Sequence, residues 1–225
     1  PQGGEEAHPM KTICGWALPD DDTYFIPFVE SGGTFQLDHL NAALEHVVDW
    51  TCAIDGGAHI GLWTKVLAKK FARVLAFEPN PQTFACLYEN TRPYRSIVAL
   101  YRAALMDRPG TVEARRDPTR NGNSGSNFVA MVGQNGRGPI PALKIDDLHL
   151  SSLGLLKLDL EGAEFLALAG ARETIGKFRP VVIMETDKPF EFRFNGERGA
   201  AEKAILAMGY REAAHIRPDK VFVPV

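Results

Sequence analysis

Two short stretches of the chain carry most of its candidate chemistry. Ala53-Ile54-Asp55-Gly56-Gly57-Ala58-His59-Ile60-Gly61 sets an acid ahead of a glycine turn. Lys157-Leu158-Asp159-Leu160-Glu161-Gly162-Ala163-Glu164 packs a lysine and three acids into eight residues. Glycine serves the first stretch in two ways: it adopts unusual backbone angles, and its missing Cβ lets a ligand approach the main chain. Asp55 then falls at the carboxyl end of a strand. About 20 residues on, Val74-Leu75-Ala76-Phe77 ends in Glu78, where open α/β sheets place an acid to accept hydrogen bonds from ribose hydroxyls.

The dinucleotide pattern G-x-G-x-x-G fails here, because Ala58 holds the middle position when Gly56 and Gly61 are in register. The spacing fits D-x-G-x-x-x-G instead. Such a turn is looser than one shaped around a pyrophosphate, and it suits an adenosine cofactor with a positive charge and no phosphate: S-adenosylmethionine. A nicotinamide-dependent oxidoreductase and a purely structural turn stay open at this point.

In the second stretch, strand alternation points Lys157 and Asp159 to one face while Leu156 and Leu158 face the other. A lysine inside an apolar strand needs a partner, so Lys157 is expected to meet a carboxylate near the strand end. Glu161 and Glu164 fall at the start of the next helix, where the dipole favours acids. For Glu164 that is the preferred reading; for Glu161 it competes evenly with catalysis.

Strands and helices must alternate to hold these groups. Apolar runs predict strands at Cys52 to Asp55, Arg73 to Phe77, Ile97 to Tyr101, Leu155 to Asp159 and Val181 to Glu185. Helical spacing is expected over Leu37 to His46, Ile60 to Lys70, Pro81 to Asn90, Ala163 to Gly176 and Gly199 to Met208. Continuous apolar strands argue a parallel sheet buried on both faces. Tyr210 to Ile216 and Val221 to Val223, joined by the four residues Arg217-Pro218-Asp219-Lys220, predict a C-terminal antiparallel hairpin. The rhythm breaks between about 103 and 147. Short strands at Thr111 to Arg115, Phe128 to Val132 and Ala142 to Ile145 there alternate with turn-forming clusters, and this insertion either selects a substrate or merely connects. Residues 1–34, rich in Pro, Gly and Asp, are expected to be an irregular arm, with 35–225 a single domain.

With 225 residues and 45% hydrophobic content the chain can bury one core. A net charge of -3 gives no global field for nucleic acid or an anionic membrane. No apolar run approaches the ~20 residues of a membrane span and no signal peptide is evident, so a cytoplasmic location is expected. Cys14, Cys52 and Cys86 lack disulfide or zinc spacing.

Several pieces together resemble the FkbM family of S-adenosylmethionine-dependent methyltransferases: Ile54 to Gly61, Ala76-Phe77-Glu78-Pro79-Asn80-Pro81, Ala103-Ala104-Leu105, Ile145-Asp146-Asp147-Leu148, Lys157 to Glu164, Leu168-Ala169-Gly170-Ala171, and Arg179-Pro180 followed by Glu185. They run in family order from about residue 50 to 186. The family usually has Asn where this chain has His59, a bulkier group that can titrate near neutrality. The resemblance implies a Rossmann-like methyltransferase fold: a mainly parallel seven-stranded sheet, a C-terminal antiparallel hairpin, and a hairpin insertion after the third strand. It implies O-methylation of a sugar, glycan or related small acceptor, with S-adenosylhomocysteine as product. Expected cofactor contacts are Asp55, Gly57, Ala58, His59 and Gly61 near the methionine part, Glu78 at the ribose, Pro79 and Asn80 beside the adenine, and Ala104 through its backbone.

Asp159 is the first candidate base and Glu185 the second, with Lys157 orienting Asp159 or stabilising a developing alkoxide. A divalent cation held by Asp159, Glu161 and Glu185 is a minority alternative, and the metal requirement is left open. Arg115, Arg116, Arg120 and Arg137 raise a phosphate-bearing acceptor, either a nucleotide-linked sugar or a nucleic-acid end, against the preferred reading of a solvated hairpin. A cofactor-binding protein without turnover is a further alternative. Oligomeric state is not legible.

Overall fold

The computed structural model describes residues 9–33, 35–131, 140–187 and 190–225. In chain order the strands are β1 (Met10–Ile13), β2 (Trp16–Pro19), β3 (Cys52–Gly56), β4 (Arg73–Phe77), β5 (Val98–Tyr101), β6 (Ala104–Leu105), β7 (Gly110–Arg115), β8 (Phe128–Met131), β9 (Ile140–Leu143), β10 (Leu155–Leu158), β11 (Val181–Glu185), β12 (Tyr210–Ile216) and β13 (Asp219–Pro224). The helices are α1 (Ile26–Glu30), α2 (Leu37–Leu44), α3 (Leu62–Leu67), α4 (Pro81–Asn90), α5 (Glu164–Ala169), α6 (Arg172–Phe178) and α7 (Ala200–Ala207).

The main sheet has seven strands in the order β12-β13-β11-β10-β3-β4-β5, as expected of the Rossmann-like methyltransferase fold. β11, β10, β3, β4 and β5 run parallel, and β13 and β12 close the edge antiparallel. Alternate residues of each strand feed two cores. Ala53, Val74, Leu155 and Ile183 face one layer with Leu40 of α2, Leu67 of α3 and Leu87 of α4. Ile54, Leu75, Leu156 and Val182 face the other with Leu168 of α5, Ile175 of α6 and Ile205 of α7. Burial on both faces explains why these strands read as continuous apolar runs. None of the helices among the described residues is long and apolar enough to cross a membrane.

Several elements differ from expectation. The helix expected over Ala163 to Gly176 is two helices. Gly170 passes so close to the Met106 carbonyl that a Cβ could not fit, and Asp146 Oδ1 accepts the Thr174 N–H at 2.8 Å, capping α6 from a distant loop. The C-terminal hairpin turns through Arg217-Pro218 alone, because pairing extends to Ile216 opposite Asp219. The insertion builds its own sheet, order β6-β9-β7-β8, and β6 was not foreseen at two residues long. Val132 and the cluster from Gly133 to Pro139, with Arg137, lie outside the described residues.

The segment before residue 35 was expected to be irregular, yet it carries the β1-β2 hairpin and α1. Asn90, at the end of α4, fastens it. Its Oδ1 accepts the Ala17 N–H at 2.7 Å, while Nδ2 donates to the carbonyls of Ala17 at 2.9 Å and Ile60 at 2.8 Å. Asn90→Ala strands these buried groups, so it should lower unfolding free energy by about 2–3 kcal/mol in urea titration and raise proteolysis within the hairpin.

Candidate functional site

β3 runs into the glycine turn, whose geometry is set by its neighbours. Gly57 has φ +75° and lies against the Asp159 carbonyl so closely that a Cβ could not fit. The close approach expected for a ligand is thus made by the backbone after β10. The turn's amides are also engaged: Gly57 and Ala58 N–H both donate to Phe77 O at 2.9 Å, and His59 N–H donates to Glu78 Oε2 at 2.9 Å. Gly61, φ +91°, starts α3, and a Cβ there would meet Leu87 at 2.8 Å.

A cavity of about 360 Å³ opens beside this turn, a volume suited to a small ligand. Gly57, Ala58, His59, Glu78, Pro79, Ala104, Lys157, Asp159, Glu161 and Glu185 all lie on its wall. Asp55, Gly61 and Asn80 do not. Asp55 is fully buried beneath it, Gly61 packs on α4, and Asn80 caps α4 by accepting the Gln82 and Thr83 N–H groups at 2.9 and 3.3 Å. These three support the wall from behind. Glu78 is held by three donors: His59 N–H on Oε2, and Asn80 N–H at 2.9 Å and Thr83 Oγ1–H at 2.8 Å on Oε1. Burial nevertheless pushes its carboxyl above the usual range, against these hydrogen bonds.

Lys157 does find a carboxylate, and it is the one across the strand pair. Its Nζ lies 3.1 Å from Asp55 Oδ1 and donates to Gly57 O at 2.6 Å. Asp55 and Lys157 are register partners of β3 and β10. Thr64 Oγ1–H donates to Asp55 Oδ2 at 2.6 Å, and Oδ1 has no further donor among the described residues. Burial would depress the Lys157 ammonium, but Asp55 and then Asp159 outweigh it and raise its pKa above the ordinary value.

Beyond Lys157, oxygens of Asp159, Glu161 and Glu185 lie within 4.8 Å of one another, close enough to hold one hard cation. Arg193 meets this group from outside, donating to Glu161 O at 2.9 Å and Glu161 Oε2 at 3.2 Å. Glu161 itself has φ 54°. Glu164 holds that bend in place and does more than face a helix dipole: its carboxylate accepts the N–H groups of Leu160 at 2.6 Å and Gly162 at 3.0 Å, and burial pushes it up to about 8. Asp219 adds a further carboxylate to the wall, beside Glu78, Asp159, Glu161 and Glu185. It sits opposite Glu185 in the β11–β13 register and accepts from His39 Nδ1 at 2.7 Å. Burial and the nearby Asp159 raise its pKa.

The roof comes from the arm and the insertion. Asp22, buried, accepts from the N–H of Phe25 at 2.8 Å, from Ser124 N–H at 2.9 Å, and from Ser124 Oγ–H. Because Ser124 gives its hydroxyl proton to Asp22, the 2.7 Å contact with His59 Nε2 makes the imidazole the donor, leaving a lone pair on Nδ1. Phe25 packs on the ring at 4.5 Å. Burial pushes His59 down to about 4, aided by Lys157 and opposed by Asp22, so titration near neutrality is removed. Of the four arginines singled out in the insertion, Arg115 pairs with Glu113, Arg116 pairs with Asp21, and Arg137 lies outside the described residues; Arg120 reaches the cavity.

Sequence reading missed His39, Asp219, Asp22, Ser124 and Asn127. His39 and Asp219 stand 180 residues apart, and the others lay in stretches that read as polar turns, so no local pattern joined them.

Comparison with known proteins matches residues 55–212 to the methyltransferase FkbM domain. Methyltransferase sdnD of Sordaria araneosa is 26% identical over 205 residues, covering 74% of this chain and 77% of that protein. Hexuronic acid methyltransferase AglP of Haloferax volcanii is 27% identical over 150 residues, covering 65% of this chain and 60% of that one, so the chain spans less than two thirds of this relative. A methyltransferase FkbM structure from Methylobacillus flagellatus superposes with a TM-score of 0.49 at 21% identity, over 76% of this chain and 42% of that one.

The tautomer and low basicity of His59 give a direct test. Ring ¹⁵N shifts should show a neutral, Nε2-protonated imidazole throughout about pH 5.5 to 8; a protonation midpoint near 6.5 would contradict the Asp22–Ser124–His59 arrangement.

Proposed function

Since the chain belongs to the FkbM methyltransferase family, we propose that it transfers the methyl group of S-adenosylmethionine to a sugar hydroxyl, releasing S-adenosylhomocysteine. The observation that carries this reading is one shared cavity. It is walled by Glu78 and Pro79 at one side and by Asp159, Glu161 and Glu185 at another, so a nucleoside-binding acid and candidate bases face the same space. The name of the hexuronic acid methyltransferase relative supports a sugar acceptor. We assign 35–225 to the methyltransferase domain and treat the arm as part of its cover, since Tyr24 and Phe25 line the cavity.

Bound there, S-adenosylmethionine supplies a methyl carbon made electrophilic by its sulfonium. Glu78 accepts the ribose hydroxyls, with its carboxylate orientation held by Thr83 and the Asn80 amide. Pro79 would lie beside the adenine, with Ala104 offering a backbone contact from the same wall. Gly57, Ala58 and His59 line the methionine side, while Asp55, Gly61 and Asn80 act through the backbone and Lys157. The residues' main task is alignment, holding the acceptor oxygen about 3–3.5 Å behind the methyl carbon. Asp159 takes the hydroxyl proton as that oxygen attacks, and Glu185 is the second group able to do so. Lys157, kept charged by Asp55, steadies the negative charge developing on the oxygen. Glu161, tied to Arg193, shapes the pocket beside them.

A cation on Asp159, Glu161 and Glu185 is the second reading, favoured by their convergence. Arg193 already supplies positive charge there, so the rate is expected to survive chelation with EDTA; loss restored by Mg²⁺ would assign the cluster to an ion.

Calorimetry should show binding of S-adenosylmethionine and S-adenosylhomocysteine and none of NAD. Asp159→Asn should lower kcat by about 10²–10⁴-fold on an active sugar acceptor while leaving S-adenosylhomocysteine affinity unchanged. Failure to bind either sulfur compound at millimolar concentration would refute the proposal, and binding without turnover across a sugar panel would favour a non-catalytic role.

A further inference from the structure

Among the described residues on the cavity wall, Asn127 alone has buried side-chain atoms without hydrogen-bond partners: both its amide nitrogen and its oxygen. A carboxamide left unpaired in this way costs free energy that a ligand can return by matching a donor and an acceptor side by side. Adjacent sugar hydroxyls do so, since each both donates and accepts.

Two neighbours extend the pattern. Phe128 follows directly and lines the same cavity; the Arg193 guanidinium lies 4.1 Å from its ring centre and also holds Glu161 of the carboxylate group. That links Phe128, with Asn127 beside it in the chain, through Arg193 to Glu161 of the carboxylate group, while Glu78, Pro79 and Ala103 to Leu105 line the same cavity from the end of β4 and from β6. Arg120 lies on the wall too, with its guanidinium 5.6 Å from the Phe190 ring centre. Unlike Arg115, Arg116 and Arg193, it makes no ion pair among the described residues. A half-buried guanidinium facing a cavity is matched to a carboxylate or a phosphate.

We propose that Asn127, Phe128 and Arg120 form the acceptor subsite, and that it takes a sugar bearing an anionic group. Asn127 binds two neighbouring hydroxyls, Phe128 packs against the sugar face, and Arg120 binds the anion. This rests on the sugar-methyltransferase reading above and adds the acceptor's charge and the residues that read it.

The test is calorimetry on the full chain loaded with S-adenosylhomocysteine, using a methyl hexuronoside, a hexose phosphate and a neutral methyl hexoside as probes. At least one charged probe should bind more tightly than the neutral one. Arg120→Ala should weaken the preferred charged probe by about 10- to 100-fold, the size of a charged hydrogen bond, while leaving the neutral probe unchanged. Whether the carboxylate or the phosphate probe responds identifies the anion. Asn127→Leu should weaken all sugar probes, and Arg115→Ala, on the exposed pair with Glu113, should weaken none. S-adenosylhomocysteine affinity should be the same in every variant. The inference is overturned if Asn127→Leu weakens S-adenosylhomocysteine instead, which would give the amide to the adenine; if Arg120→Ala weakens charged and neutral probes alike; or if the loaded wild-type chain binds no probe. Failure of S-adenosylhomocysteine itself to bind would instead bring down the underlying methyltransferase reading.

Discussion

The ion pair of Lys157 with Asp55 in the middle of the sheet is the constraint on which the site depends. Both groups lie on central strands with little or no solvent, where a lone charge is costly and losing one partner leaves the other stranded. Paired, they do two things. Asp55 with Thr64 fixes the ammonium, and the ammonium bonds the Gly57 carbonyl, tying the glycine turn to β10. The same positive charge acts on Glu78, Asp159 and Asp219, three of the five wall carboxylates, while Arg193 pairs with Glu161, so the group is not an unscreened cluster of negative charge.

Around that pair the structure assembles its site from distant parts of the chain. The sheet supplies the floor, since β3, β4, β10 and β11 end side by side. The cover is made by the arm and the insertion, joined through Asp22 and Ser124 to His59. His59 therefore connects the glycine turn to both covering segments, a role that its bulk and two ring nitrogens permit. Glu164 performs a parallel service below, holding the 160–164 bend that presents Glu161 to the cavity.

Glycines illustrate how a motif can be legible while its cause is not. Gly57 and Gly61 stand out in the sequence because of their spacing, and a nucleotide-binding turn is the natural explanation. In the structure, each is demanded by protein: Gly57 by the Asp159 carbonyl and Gly61 by Leu87. The motif marks the right place because the tight junction of β3, β10 and α4 is what shapes the cavity beside it.

Local periodicity and composition determined much here. Continuous apolar strands can be satisfied only between two helical layers, so the parallel sheet and its C-terminal hairpin were readable from the chain, as were the bounds of β4, α4 and β11. The two polar stretches also announced themselves, because charged residues at the ends of buried strands need a reason to be there. Tertiary structure alone decided the partnerships. Lys157 chose Asp55 across the strand register, Asp219 met His39 from 180 residues away, and Ser124 and Asn127 came out of a polar loop to face a cavity. A sequence pattern reports which face of its own element a residue occupies; which elements then lie against that face is settled by packing the whole chain, and hydrogen-bond and ion-pair partners follow from that packing.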